Sequence, residues 1–164
     1  MKFLFAAMLA VPAACQPTAS PSQLEQSAAG LDQLALTIVS GGKTHRFTVE
    51  VARSPEQQQT GMMNRNGLAP DRGMIFPYET PQSVAYWMKN TLIPLDLIFI
   101  APGGKILRIE ENAVPYSLDQ IPSGGPIEAV LELAGGRSAE LKLKAGDQVD
   151  WPRSVALPSD PEQR

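Results

Sequence analysis

Residues 95–111 read LDLIFIAPGGKILRIEE. Leu95 to Ala101 are apolar almost throughout and rich in strand-forming residues, which predicts a central strand. Pro102-Gly103-Gly104 is turn chemistry. Lys105 to Glu111 then alternates apolar and polar residues, the period of a strand with one buried face. Two such runs joined by so short a turn form an antiparallel hairpin. The same reading applies upstream. Leu34 to Ser40 (LALTIVS) and Thr44 to Ala52 (THRFTVEVA) flank Gly41-Gly42. In the second run Phe47, Val49 and Val51 alternate with Arg46, Thr48 and Glu50, so a second hairpin is expected.

Between the hairpins, Ser54-Pro55-Glu56 signals a helix start: a good N-cap, a proline suited to the first turn, and an acid that complements the helix dipole. A short helix is expected to about Met62, ended by Asn64, Asn66, Gly67 and Pro70. Gly73 to Tyr78 and Val84 to Met88 read as short strands. Residues 112–126 read as a long loop, and Ile127 to Ala134 (IEAVLELA) as another strand. Arg137 to Leu143 is amphipathic and suits helix or strand. Gln148 to Trp151 is a short last strand. Most connections are hairpins rather than the long helical crossovers that parallel sheets need. The predicted fold is mainly β (α+β): a mostly antiparallel sheet curled into a barrel or sandwich, with one or two short helices.

Composition removes several function classes. The chain has 164 residues and a net charge of −3. No run of Lys or Arg forms a basic face, so nucleic-acid binding has little electrostatic support. A single histidine, His45, at the start of an early strand cannot build a His/Cys zinc site. Nothing resembles a nucleophile elbow or a phosphate-binding glycine loop. His45 is expected to be exposed or hydrogen-bonded at a strand edge, and no cofactor is expected.

The unusual stretch is 61–96, with Gly61-Met62-Met63, Arg65, Gly73-Met74, Trp87-Met88-Lys89-Asn90-Thr91, Pro94 and Asp96. GMMNR, GMIF, YWMKNTLIPLDLIFI, VLELAGG and KAGDQV, in this order, closely resemble the DUF192 family over roughly residues 46–151. That family is defined by sequence and carries no established biochemical function, so the resemblance implies a fold and leaves the activity open.

Read from the residues, Lys89, Asn90 and Thr91 lead into the strand that begins at Leu95. Alternation puts Asp96 on the face opposite Leu95 and Leu97. An ion pair of Lys89 with Asp96 beside the Trp87 ring, joined by Asn90 and Arg65, would make a polar ligand groove. The alternative is architectural: Asn90 and Thr91 cap a turn, and Asp96 accepts backbone N–H bonds. Three functional readings follow. The first is a small binding or accessory module, expected to be monomeric, for a small-molecule or envelope ligand held by Arg65, Trp87, Lys89, Asn90 and Asp96. The second is a hydrolase of an envelope saccharide or peptide, with Asp96 as acid or base and Glu110, Glu128 or Glu132 as second carboxylate. The third is a soft-metal site for copper at Met62, Met63, Met74 and Met88, since thioethers select Cu(I). Methionine is also a routine core filler.

The N-terminus reads as an address. In MKFLFAAMLAVPAAC, Lys2 is a minimal positive region, and Phe3 to Val11 is an apolar stretch too short to span a bilayer. Cys15, the only cysteine, directly follows Ala13-Ala14 and resembles the end of a lipobox. Pro12 stands where Leu, Val or Ile is usual, and plain cleavage near Ala13 or Ala14 is the alternative. The expected organisation is a signal segment (1–15), a flexible linker (16–33), the β-rich domain (34–151) and a disordered tail (152–164). The expected location is the periplasm, with lipid at Cys15 holding the protein to the outer membrane and no other membrane contact.

Overall fold

The computed structural model describes residues 26–156. The elements are β1 (Gln33–Ser40), β2 (Lys43–Val51), α1 (Pro55–Thr60), β3 (Arg72–Gln82), β4 (Ala85–Tyr86), β5 (Leu95–Ala101), β6 (Lys105–Ala113), β7 (Ile121–Pro122), β8 (Ile127–Ala134), α2 (Arg137–Leu141), β9 (Gln148–Asp150) and a last turn, α3 (Arg153–Ala156). Seven strands close into a barrel in the order β1-β2-β3-β8-β5-β6-β9. Of the two architectures expected, the barrel is the one formed. Both predicted hairpins are present: Thr37 pairs with Arg46 in β1–β2, and Ile98 with Ile109 in β5–β6.

One pairing departs from the expected pattern of hairpins. β2 and β3 run parallel, with Val49 beside Gly73 and Val51 beside Ile75. Residues 52–71 make the crossover, and α1 is its only regular part. The helix is short because Gly61 and the turn residues after it end it. Its start is fixed by a capping box in which Ser54 accepts from the Gln57 N–H and the Gln57 side chain accepts from the Ser54 N–H. The crossover is thus mostly irregular chain laid over the sheet, which helical periodicity cannot reveal.

The barrel interior holds Leu36, Ile38, Val49, Val51, Ile75, Ile98, Leu131 and Val149. A second core lies on the outer face of β3, β8 and β5, where Met74, Phe76, Leu97, Phe99 and Val130 are covered by Met62 and Met88. β5 is therefore buried on both faces, which explains why every residue in it except Asp96 is apolar. Part of this cover is a two-stranded sheet, β4 with β7, in which Tyr86 pairs with Ile121. β7 lies inside the stretch expected to be loop. It is only two residues long and carries a proline, too little for periodicity to register.

Both ends of the domain extend further than composition suggested. Gln26 bridges to Asp32, and Asp32 pairs with Arg53 at 2.5 Å, so residues 26–32 dock although they read as linker. After Trp151, expected to begin a disordered tail, Arg153 lies 4.1 Å from the Trp151 ring centroid and pairs with Glu128 at 2.9 Å. That stacking and ion pair hold the chain where α3 forms. The signal segment, Cys15 and residues 157–164 lie outside the described residues.

Candidate functional site

The residues expected to form one groove are divided between two places. Asp96 is fully buried, and its side chain points to the barrel interior. Its Oδ1 accepts from the backbone N–H of Asn112 (2.9 Å) and Gly136 (2.8 Å), and its Oδ2 from Ser138 N–H (2.6 Å). Gly136, the N-cap of α2, has no side chain to cap with and sits in the left-handed region at φ 81°. Asp96 supplies the missing cap from another strand and ties β5, β6 and α2 together. The architectural alternative for Asp96 is the one the structure contains, because acidic oxygens near exposed helix N–H groups are drawn to them.

Lys89 does not pair with Asp96. Its Nζ lies 5.1 Å from the centroid of the Trp87 ring, and Trp87 is half exposed. Asn90 adopts φ 56°, its carbonyl accepts from Asn64 N–H, and its amide lies 3.9 Å from Met63 Sδ. Thr91 donates to the Lys89 carbonyl within the same turn. Arg65 pairs with Glu50 at 2.6 Å. His45 is half-buried rather than exposed, and its buried Nε2 has no hydrogen-bond partner among the described residues.

Trp87 instead belongs to a cleft of about 220 Å3. The end of α1 and the following turn (Gln58 to Met63) form one wall. Phe76 and Tyr78 of β3, Ala85 to Trp87, and Thr91 form the rest. The base is Glu132 of β8. Cross-strand pairing sets Glu50, Met74, Glu132, Leu97 and Glu110 side by side in one row on the outer face of the barrel. Directly opposed residues share a face, so Glu132 lies on the side away from Asp96, whose own cross-strand neighbour is Leu133.

The chemistry of this cleft centres on Glu132. The residue is buried, and its Oε2 has no hydrogen-bond partner among the described residues. Burial pushes its carboxyl up to about 8, although the positive charge of Arg65 works in the opposite direction. At pH 7 the group is therefore mostly a neutral acid, able both to donate and to accept a hydrogen bond. Above it the hydroxyls of Tyr78 and Tyr86 bond to each other at 2.9 Å, and burial raises the pKa of both. Tyr86 is held edge-on between Phe76 (5.5 Å) and Phe99 (6.2 Å). A larger concavity of about 410 Å3 lies beside Glu50 and Arg72, but its charged groups are engaged: Arg65 with Glu50, and Arg72 with Gln33 at 3.2 Å.

The expected second carboxylates separate likewise. Glu110 pairs with Arg108, Glu128 with Arg153, and Glu132 stands alone. Neither oxygen of Asp96 is free, so the Asp96-centred hydrolase loses its acid or base. Met62, Met74 and Met88 are buried in the outer core, while half-buried Met63 lines the cleft. Among the described residues no group of three or more His, Cys, Asp or Glu is placed to hold a metal ion. Sequence reasoning named Glu132 but paired it with the wrong partner, and it passed over Tyr78, Tyr86 and Gln58. The available signal was a glutamate set among buried neighbours in IEAVLELA.

The chain has identifiable relatives. The family model DUF192, described as Uncharacterized ACR, matches residues 36–151. A solved structure from Sinorhizobium meliloti 1021, described as a candidate transcription regulator, is 41% identical with a TM-score of 0.72; the match covers 74% of this chain and 95% of that one. A protein of unknown function from Novosphingobium aromaticivorans DSM 12444 is 36% identical with a TM-score of 0.76, covering 83% of this chain and all of the other. No curated protein matches the chain.

Proposed function

The chain belongs to the DUF192 family, and from that premise we propose that its barrel is a small ligand-binding module of the cell envelope, using the cleft between α1, β4 and Glu132. The observation that carries this reading is the unpartnered Glu132 carboxyl at the base of the cleft. A buried polar group with no partner costs on the order of 1–3 kcal/mol. Natural folds rarely leave one at the bottom of an open cleft unless a ligand or water completes it. Trp87 supplies a half-exposed aromatic wall of the kind that dominates binding energetics. The charge of −3 and the lack of a basic run favour this over a role in binding nucleic acid.

Trp87→Ala tests the reading. Because Trp87 is half exposed, its removal is expected to change unfolding free energy by less than about 1 kcal/mol. Binding of any member of a panel of small saccharides, peptides and amines, followed by ligand-observed NMR on the full chain, should weaken at least about tenfold. A panel in which nothing binds, or in which binding ignores Trp87, removes the reading.

The envelope location rests on the leader-like segment ending at Cys15. Lipid there would hold the domain to a membrane surface without a spanning helix. Cys15→Ser is expected to move the protein from the membrane fraction to the soluble periplasm. Unchanged fractionation would reject the lipid anchor.

A further inference from the structure

We propose that the cleft takes an N-methylated ammonium group, seated against the Glu132 carboxylate and walled by the aromatic rings and thioethers of Tyr78, Tyr86, Trp87, Met62 and Met63. This deepens the binding-module reading and rests on it.

The walls named above are uncharged at neutral pH, so the sign of the site is set by Glu132 and by whatever faces it. Those groups are Arg65 from the turn after α1, Glu50 from β2, Tyr78 from β3 and Tyr86 from β4, with Lys89 beside Trp87. Arg65 is already matched by Glu50 at 2.6 Å, which leaves Glu132 as the unmatched acid. An anionic ligand would have to lie against that acid, although Gln59, Thr60 and the Trp87 indole N–H offer it donors along the walls. A neutral hydroxyl would gain one ordinary hydrogen bond, worth about 1 kcal/mol net. A cation supplies the counter-charge whose absence makes burial of the carboxylate costly.

The walls favour a particular kind of cation. A primary ammonium is strongly hydrated and must exchange its water for an acceptor at each of its three N–H groups, whereas much of the lining around Glu132 is ring and thioether: Phe76, Tyr78, Tyr86, Trp87, Met62 and Met63. A methylated ammonium needs no acceptors and is stabilised by ring faces. The Trp87 ring faces one ammonium already, the exposed Lys89 Nζ at 5.1 Å from its centroid, which a ligand cation would displace. A volume of about 220 Å3 is enough for a trimethylammonium head and a short stem. Seating the cation moves the carboxyl proton of Glu132 to solvent, so binding and proton release are coupled. Affinity therefore rises with pH until Glu132 is ionised without the ligand, near pH 8.

The test compares choline with 3,3-dimethylbutan-1-ol, its uncharged isostere, on the full chain by titration calorimetry at pH 6, 7, 8 and 9. Choline is expected to bind at least about tenfold tighter than the alcohol. Its affinity should climb to about pH 8, and at pH 7 most of one proton should be released per choline, read from the difference in heat between phosphate and Tris buffers. Glu132→Gln should lose the preference for choline, so that the two compounds bind this variant about equally. Equal binding of the two compounds, choline affinity that falls with pH, or indifference to Glu132→Gln overturns the proposal. If choline fails while an uncharged panel compound binds in a Trp87-dependent way, the ammonium inference falls and the binding module stands. If nothing binds, both fall.

Discussion

Asp96→Asn is expected to lower the unfolding free energy by roughly 3 kcal/mol, with Asp96→Ala costing at least as much. The wild-type carboxylate accepts three backbone N–H groups at 2.6–2.9 Å in a fully buried position. Asparagine keeps one acceptor oxygen and turns an NH2 toward at least one of those N–H groups, so donor faces donor. Alanine leaves all three N–H groups unsatisfied and also removes the cap of α2, which Gly136 cannot replace. The loss is read from urea midpoints at constant slope for wild type and both variants. Binding in the cleft should survive in whatever fraction remains folded, because Asp96 points to the opposite side of the sheet. Unchanged stability with lost binding would return Asp96 to the functional site.

Glu132→Gln should act in the opposite direction, and only above acidic pH. The folded-state pKa of Glu132 is about 8, above its ordinary value of 4.5, so the folded protein binds the proton more tightly than the unfolded chain does. A carboxyl raised in this way penalises folding as pH rises. Below about pH 4.5 both states are protonated and there is no penalty. Between 4.5 and 8 the penalty grows at up to about 1.4 kcal/mol per pH unit, and above 8 it is constant. Glutamine stays neutral throughout. The variant should thus match wild type near pH 4.5 and exceed it by several kcal/mol, on an order-of-magnitude reckoning, at pH 9. The measurement is the difference between the two proteins in unfolding free energy across this range, which cancels the other carboxylates. Parallel curves would mean that Glu132 is ionised and satisfied in the folded state, and the cleft would lose its central feature.

The two acids show how far local sequence carries the reading. LDLIFIA gives Asp96 a definite face, opposite Leu95 and Leu97, and that placement holds. IEAVLELA similarly puts Glu128, Val130 and Glu132 in phase. Neither run says which side of the strand is barrel interior and which lies under the outer layer, because both sides of β5 are buried. The pattern that normally marks the solvent face is therefore missing. Lys89 and Asp96 are close in sequence, and proximity suggested an ion pair. The partners Asp96 takes come instead from residues 112, 136 and 138, which no local pattern connects to it. Tyr78 and Tyr86 meet only because β4 folds back over the sheet and pairs with β7.

By itself the sequence determined the two hairpins, the capped start of α1, the family and the mostly antiparallel class, because alternation, turn residues and caps act between positions a few residues apart. The tertiary structure alone decided that the sheet closes as a barrel, that β2 and β3 run parallel across an irregular crossover, and that the acid left without a partner is Glu132 and not Asp96. Those outcomes depend on strand register and on which layer covers which face. Both are set by contacts between segments distant in the chain, and burial then gives two similar carboxyl groups opposite roles.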